Sequence, residues 1–376
     1  MALDPTTTAL GSWSGGRFMH FGEPLDDDRL VALLRPGDGI DTVITADVYG
    51  QGEADRIVGR ALAGLDRDAY CLVGAVGHDF YEGERAGAKG FPRFTATRPP
   101  ERWGDYLREA TERSLERCGV DAFDLLLLHN PDRDGYRDPR VWEGMAELRD
   151  AGLTRLLGVA PGPANGFTLD LIDCFERFGD VVDWAMVILS PMEPWPSSLV
   201  LDAAAREGVR TITRVADYGG LFWDDVRPGH AFRERDHRLF RPDGWIEAGC
   251  ERLDEMRPIA QRHGLTPLQL AVQWNLAQPS VSCVVPTLIQ EAGDGARPIE
   301  DKRAELAATP HEVVLAPEEV EQLGAIGDNT GCMDLKGASV AHDGEPQPDA
   351  WPLDEELARV ASRWAIDPAR DLVKTA

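Results

Sequence analysis

Val43-Ile44-Thr45-Ala46-Asp47-Val48-Tyr49-Gly50-Gln51-Gly52-Glu53 is where the rhythm of the chain changes from strand to helix. Asp41–Ala46 reads as a short strand. An Ala-Asp-Val-Tyr-Gly turn follows, and Glu53 after Gly52 suits the positive N-terminus of a helix. The same unit repeats on either side. Candidate strands are Thr8–Trp13, Asp41–Ala46, Tyr70–Val76, Phe123–His129, Thr154–Ala160, Asp183–Leu189, Val209–Val215 and Val281–Pro286. Between them Arg102–Cys118, Val141–Ala151, Leu169–Phe178 and Trp245–His263 carry the 3.6-residue apolar period of helices, and Gly119 and Gly152 stand as helix stops. Strand and helix alternating in this way predict an α/β fold, a (β/α)8 TIM barrel whose chemistry lies where strands end and helices begin.

The barrel takes up residues 1–327. Residues 328–376 form a C-terminal extension, with Asn329–Met333 at its start and a helix near Asp354–Ile366, expected to pack on the barrel or cap it. The Gly77–Pro99 loop, rich in Gly and Arg and carrying Phe80, Tyr81, Phe91 and Phe94, follows the third strand on the active face. The formal net charge is −26, which repels phosphate backbones and anionic lipid, so no nucleic acid and no membrane partner is expected. No apolar run reaches spanning length and the N-terminus has no leader pattern, so a cytoplasmic location is expected. A homo-oligomer is compatible with this composition. The six cysteines are scattered with no C-x-x-C spacing and read as reduced core residues.

The opening stretch resembles the aldo-keto reductase signature D-T-A-x-x-Y-G-x-G-E. Three further matches follow in order: Gly11-Ser12-Trp13 with the opening G-x-W strand, Ser114–Asp121 with S-L-x-R-L-x-x-D, and Asp124–Pro131 with D-L-x-x-x-H-x-P. The resemblance implies the barrel, and a site in which Tyr donates a proton while His orients the carbonyl, with a Lys lowering the Tyr pKa and an Asp holding the Lys. Tyr49 and His129 keep the first two. Ile44 stands at the Asp position and Ala75 at the Lys position. The family's nicotinamide-binding Ser-Asn corresponds to Ala160-Pro161, its Gln to Met186, its stacking aromatic to Leu189 and its adenine-side Asn to Lys302; Val285-Pro286-Thr287 replaces I-P-G.

These losses lead to an expectation of no cofactor, with cofactor-independent acid/base chemistry in its place: β-elimination, dehydration or isomerisation of a small carbonyl or hydroxyl compound, such as a sugar derivative or a polycyclic metabolite. Tyr49 and His129 would exchange protons, with Arg214 and Asp217 assisting as catalytic groups. Trp13, His20, His78, Asp79, Trp195 and Trp223 are candidate substrate-binding residues, the indoles forming an aromatic wall. Each has a plainer reading, as loop polarity or ordinary packing. His20, His78, Asp79 and His129 do not match a recognised metal-ligand spacing, and no metal is expected. Two alternatives stay open. One is an NADP-dependent reductase whose lysine comes from elsewhere, Lys89 being the nearby candidate. The other is a non-catalytic binding or regulatory protein.

Overall fold

Eight strands pair in parallel and in sequence order: β1 Ala9–Gly11, β2 Thr42–Ile44, β3 Cys71–Val76, β4 Phe123–His129, β5 Thr154–Ala160, β6 Trp184–Ile188, β7 Arg210–Arg214 and β8 Val281–Val285. A Thr8–Val284 bridge joins the first strand to the last, the Val284 amide donating to the Thr7 carbonyl at 2.9 Å. This is the (β/α)8 TIM barrel expected from the sequence. The computed structural model describes residues 3–86, 90–162, 167–293, 295–332, 346–347 and 353–375. Lys89 and Met333 lie outside the described residues.

Period-two alternation sorts each strand into an inner and an outer face. Cys71, Val73 and Ala75 of β3, and Leu125 and Leu127 of β4, join Trp184, Met186 and Ile212 inside the barrel. Leu72, Val76, Leu126 and Leu128 face the surrounding helices instead. Ile44 and Ala75 therefore sit together in the apolar interior beneath the active face.

Helices Trp103–Cys118, Pro139–Asp150, Thr168–Phe178 and Trp245–His263 follow the expected spans within a residue or two. Gly119 (φ +69°) and Gly152 (φ +75°) adopt the left-handed conformation that ends a helix.

The extension packs on the outer layer. Asp354 caps the helix Glu355–Arg363 by accepting the Leu357 amide, and its carboxylate is also held by Arg133 and Arg137 of the barrel. Glu176, on helix Thr168–Phe178, takes Arg363 and the Trp364 indole N–H. The Trp195 indole donates to the Asp371 carbonyl at 2.6 Å. Pro346–Gln347 pairs antiparallel with Lys374–Thr375.

Candidate active site

The turn after β2 is braced from behind. Asp55, fully buried one turn into helix Glu53–Leu62, accepts Thr45 Oγ1 at 2.9 Å, Ser114 Oγ at 2.8 Å and Arg117 Nε at 3.0 Å. The Ser and Arg of the S-L-x-R run thus hold the loop that presents Tyr49. Gly50, Gln51 and Gly52 all take positive φ, letting the chain reverse into the helix. Asp47, just before Tyr49, is buried, and burial together with Asp55 pushes its carboxyl well above the usual range.

Tyr49 and His129 emerge at the ends of β2 and β4 with their rings edge to face, 5.8 Å between centroids. Trp13 flanks Tyr49 at 6.5 Å, and His78 flanks His129 at 5.1 Å. Two glycines permit this. A Cβ on Gly11 would strike the Trp13 ring, and one on Gly77 would come within 2.7 Å of the His129 carbonyl. His78 is fixed by the Phe91 carbonyl at Nδ1 and the Asn130 amide at Nε2, both at 3.0 Å.

The four rings face a cavity of about 820 Å³ at the C-terminal ends of the strands. Of the residues singled out from sequence, Trp13, His20, Tyr49, His78, His129, Arg214 and Asp217 line it. Three do not. Asp79 is turned inward to Thr97, Arg98 and the Tyr81 and Glu82 amides, stabilising its own loop. Trp195 is buried beneath the C-terminal extension, and Trp223 is buried with its indole donating to the Thr287 carbonyl. The indoles do not form an aromatic wall, because two of the three are needed as packing. Asp217 lines the cavity, but its carboxylate is held by the Thr287 and Gly220 amides, which ties the β7 turn to β8. Asn329 bonds the Trp195 backbone and the Cys332 carbonyl, so this start of the extension packs on the β6 loop.

Burial sets the electrostatics. It raises the Tyr49 phenol above its ordinary value, against the pull of the Arg214 charge. It holds His129 well below the usual imidazole range, helped by His78, Arg93 and Arg214, so this ring is neutral at pH 7. His78 is pushed down to about 4 by burial and by Arg93. Among the described residues no His, Cys, Asp and Glu cluster could hold a metal ion.

Sequence reading passed over Arg241. Its guanidinium lies between the Tyr218 and Trp245 rings at 4.6 and 4.7 Å and lines the cavity, and among the described residues none of its three nitrogens has a hydrogen-bond partner. The available signal was the run Arg233-Glu234-Arg235-Asp236-His237-Arg238-Leu239-Phe240-Arg241, dense in arginine within the β7 loop. Lys302, at the adenine-side position, is fully buried, 2.5 Å from Asp225, and donates to the Ile289 carbonyl.

An aldo-keto reductase of Bacillus subtilis is 26% identical over 292 residues, covering 74% of this chain and 79% of its own length. The fold is shared with a glycerol dehydrogenase from Gluconobacter oxydans (TM-score 0.62, 24% identity, 85% of this chain and 90% of that one). It is also shared with an aldo/keto reductase from Klebsiella pneumoniae in complex with NADP and acetate (TM-score 0.57, 22% identity, 86% and 95%). The expectation of a site without cofactor is corrected by this finding: neighbours in this fold are solved with NADP or NADPH. Ala160, Pro161 and Met186 line the same cavity as Arg214 and Arg241. With the aldo/keto reductase family model matching residues 10–292, the chain belongs to that family.

Proposed function

We propose that the protein is a nicotinamide-dinucleotide-dependent oxidoreductase acting on a small carbonyl compound. The observation that carries this reading is the edge-to-face Tyr49–His129 pair on the cavity wall with the Arg214 charge acting on both. Tyr49 would give its proton to the substrate oxygen. Neutral His129 would orient that oxygen by a hydrogen bond. Arg214 would supply from β7 the positive charge that the family's lysine supplies from β3. It is the group that opposes the rise in the Tyr49 pKa.

The dinucleotide, when bound, supplies the hydride. The cavity fits its charged portion: Arg241 is a buried, unpartnered guanidinium in the wall, and phosphate oxygens suit such a fork. At the nicotinamide end Ala160, Pro161 and Met186 offer apolar contact without amide-binding side chains.

Titration of the purified chain with NADPH, followed by its consumption against a panel of aldehydes and ketones, tests the reading. Saturable binding is expected, with Tyr49→Phe leaving binding intact and lowering turnover about a hundredfold or more. Absence of binding at millimolar cofactor would overturn it.

The pairing of Ile44 with Ala75 in the barrel interior favours a second reading, in which the Tyr49–His129 pair performs elimination, dehydration or isomerisation with no net redox change. Turnover of such substrates with no change in the redox state of the cofactor would select it.

A further inference from the structure

The cavity wall is cationic in an otherwise acidic molecule. Arg17, Arg85, Arg214 and Arg241 line it, against the single carboxylate of Asp217, in a chain of net charge −26. Asp217 is already committed to two backbone amides. Arg17 is paired with Asp27. Arg238 shows how this protein neutralises a buried guanidinium when no ligand is needed: Asp236 and Glu291 both pair with it. Arg214 and Arg241 have no carboxylate in ion-pair contact among the described residues; buried Glu193 acts on both only from beyond contact distance. The two hydrogen bonds of Arg214 run from Nη2 to the Pro161 and Gly162 carbonyls, each at 3.2 Å, which aim the group without putting a carboxylate in contact with it. Withdrawing a guanidinium from water is costly unless an anion meets it.

The two arginines differ in place. Arg241, between Tyr218 and Trp245, is the group assigned above to the dinucleotide phosphates. Arg214 stands at the end of β7, bonds the carbonyl of Pro161 next to the Ala160 that pairs with His129, and lines the same cavity as Tyr49 and His129. A substrate whose carbonyl oxygen meets Tyr49 and His129 therefore brings its neighbouring atoms towards Arg214.

We propose that the substrate carries a carboxylate directly beside its reacting carbonyl, and that Arg214 binds this carboxylate. This rests on the oxidoreductase reading. The carbonyl carbon gains the hydride and with it two electrons. The carbonyl oxygen gains the Tyr49 proton, and the carboxylate leaves unchanged on the resulting 2-hydroxy acid. Arg214 thereby selects 2-oxo acids over neutral aldehydes and ketones of the same size.

Calorimetric titration of the full chain, with and without NADP⁺, tests this through unreactive probes. Oxamate carries a carboxylate beside a carbonyl, propionamide is its neutral counterpart, and inorganic phosphate supplies an anion without a carbonyl. Oxamate is expected to bind at least about tenfold more tightly than either of the others. Arg214→Gln should abolish that preference. Arg214→Lys, which keeps the charge, should retain part of it and report that the fold survives. Equal binding of oxamate and propionamide overturns the proposal, as does oxamate binding that survives Arg214→Gln. Tighter, Arg214-dependent binding of phosphate replaces the carboxylate with a phosphate and overturns it also. Because the probes do not turn over, Arg214-dependent oxamate binding in a protein that never consumes NADPH would sink the oxidoreductase reading alone. Indifference to oxamate in a protein that does consume it would sink the substrate assignment alone.

Discussion

Tyr49 and His129 occupy the same apolar wall, and burial moves their pKa values in opposite directions, each towards its neutral form. His129 is therefore neutral across the physiological range and Tyr49 stays protonated well into alkali. The pH profile of kcat/KM should be flat from about pH 6 to 9, with no inflection near the ordinary histidine value of about 6.5. The acid limb should appear near pH 4, where His78 takes up its proton beside His129. An inflection at pH 6 to 7 in a steady-state profile would show that His129 titrates freely. Ile44 and Ala75 give a second prediction at this scale. Ala75→Lys alone places an ammonium in the apolar barrel interior and should destabilise the protein by about 3–5 kcal/mol. Adding Ile44→Asp should recover part of that loss in denaturant unfolding, because the two side chains share one interior cluster.

At the scale of elements, the β2 turn depends on a helix distant in sequence. Asp55 ties Thr45 to Ser114 and Arg117, so Asp55→Ala leaves two buried hydroxyls and the partly buried Arg117 guanidinium without their acceptor. A loss of about 3–5 kcal/mol in stability is expected, with turnover falling together with it because the same turn carries Tyr49. Stability loss without any effect on turnover would show that the turn holds itself. The extension responds to acid. Against burial, the Leu357 amide, then Arg137 and Arg133, keep the Asp354 carboxyl at about 2, below its ordinary value of 3.8. A carboxyl held low contributes stability that is present at neutral pH and is lost as the pH falls through that window. Hydrogen exchange should therefore show the helix Glu355–Arg363 opening between about pH 4 and pH 2 before the barrel strands do.

For the whole molecule, charge is distributed unevenly: the net charge of −26 belongs to the surface while arginines gather at the cavity. Anionic ligands must cross a repulsive outer field to reach an attractive site. Added salt screens both, the exposed outer charges more than the enclosed guanidinium groups. The association rate for a dinucleotide measured by stopped flow should therefore rise or stay level between 10 and 150 mM salt. A steep fall would mean that the cavity field dominates at long range.

The sequence by itself determined the barrel. Period-two runs and glycine stops are local, and each of the eight strands lies within the span read from them. It also pointed to the Tyr49–His129 pair, because His129 ends a strand and Tyr49 lies in the turn after one, and a parallel barrel gathers its strand ends on one face. Tertiary structure alone decided the rest. Asp79, Trp195 and Trp223 have the composition of site residues, and only their burial against Arg98, the extension and the Thr287 carbonyl shows that they belong to the framework. Arg241 lies in a loop with no periodic signal, and its importance comes from two aromatic rings and, among the described residues, nitrogens that no hydrogen-bond partner meets. A local pattern fixes where backbone hydrogen bonds run. Whether a charge is paired depends on residues far apart in sequence, and that is settled only when the chain closes.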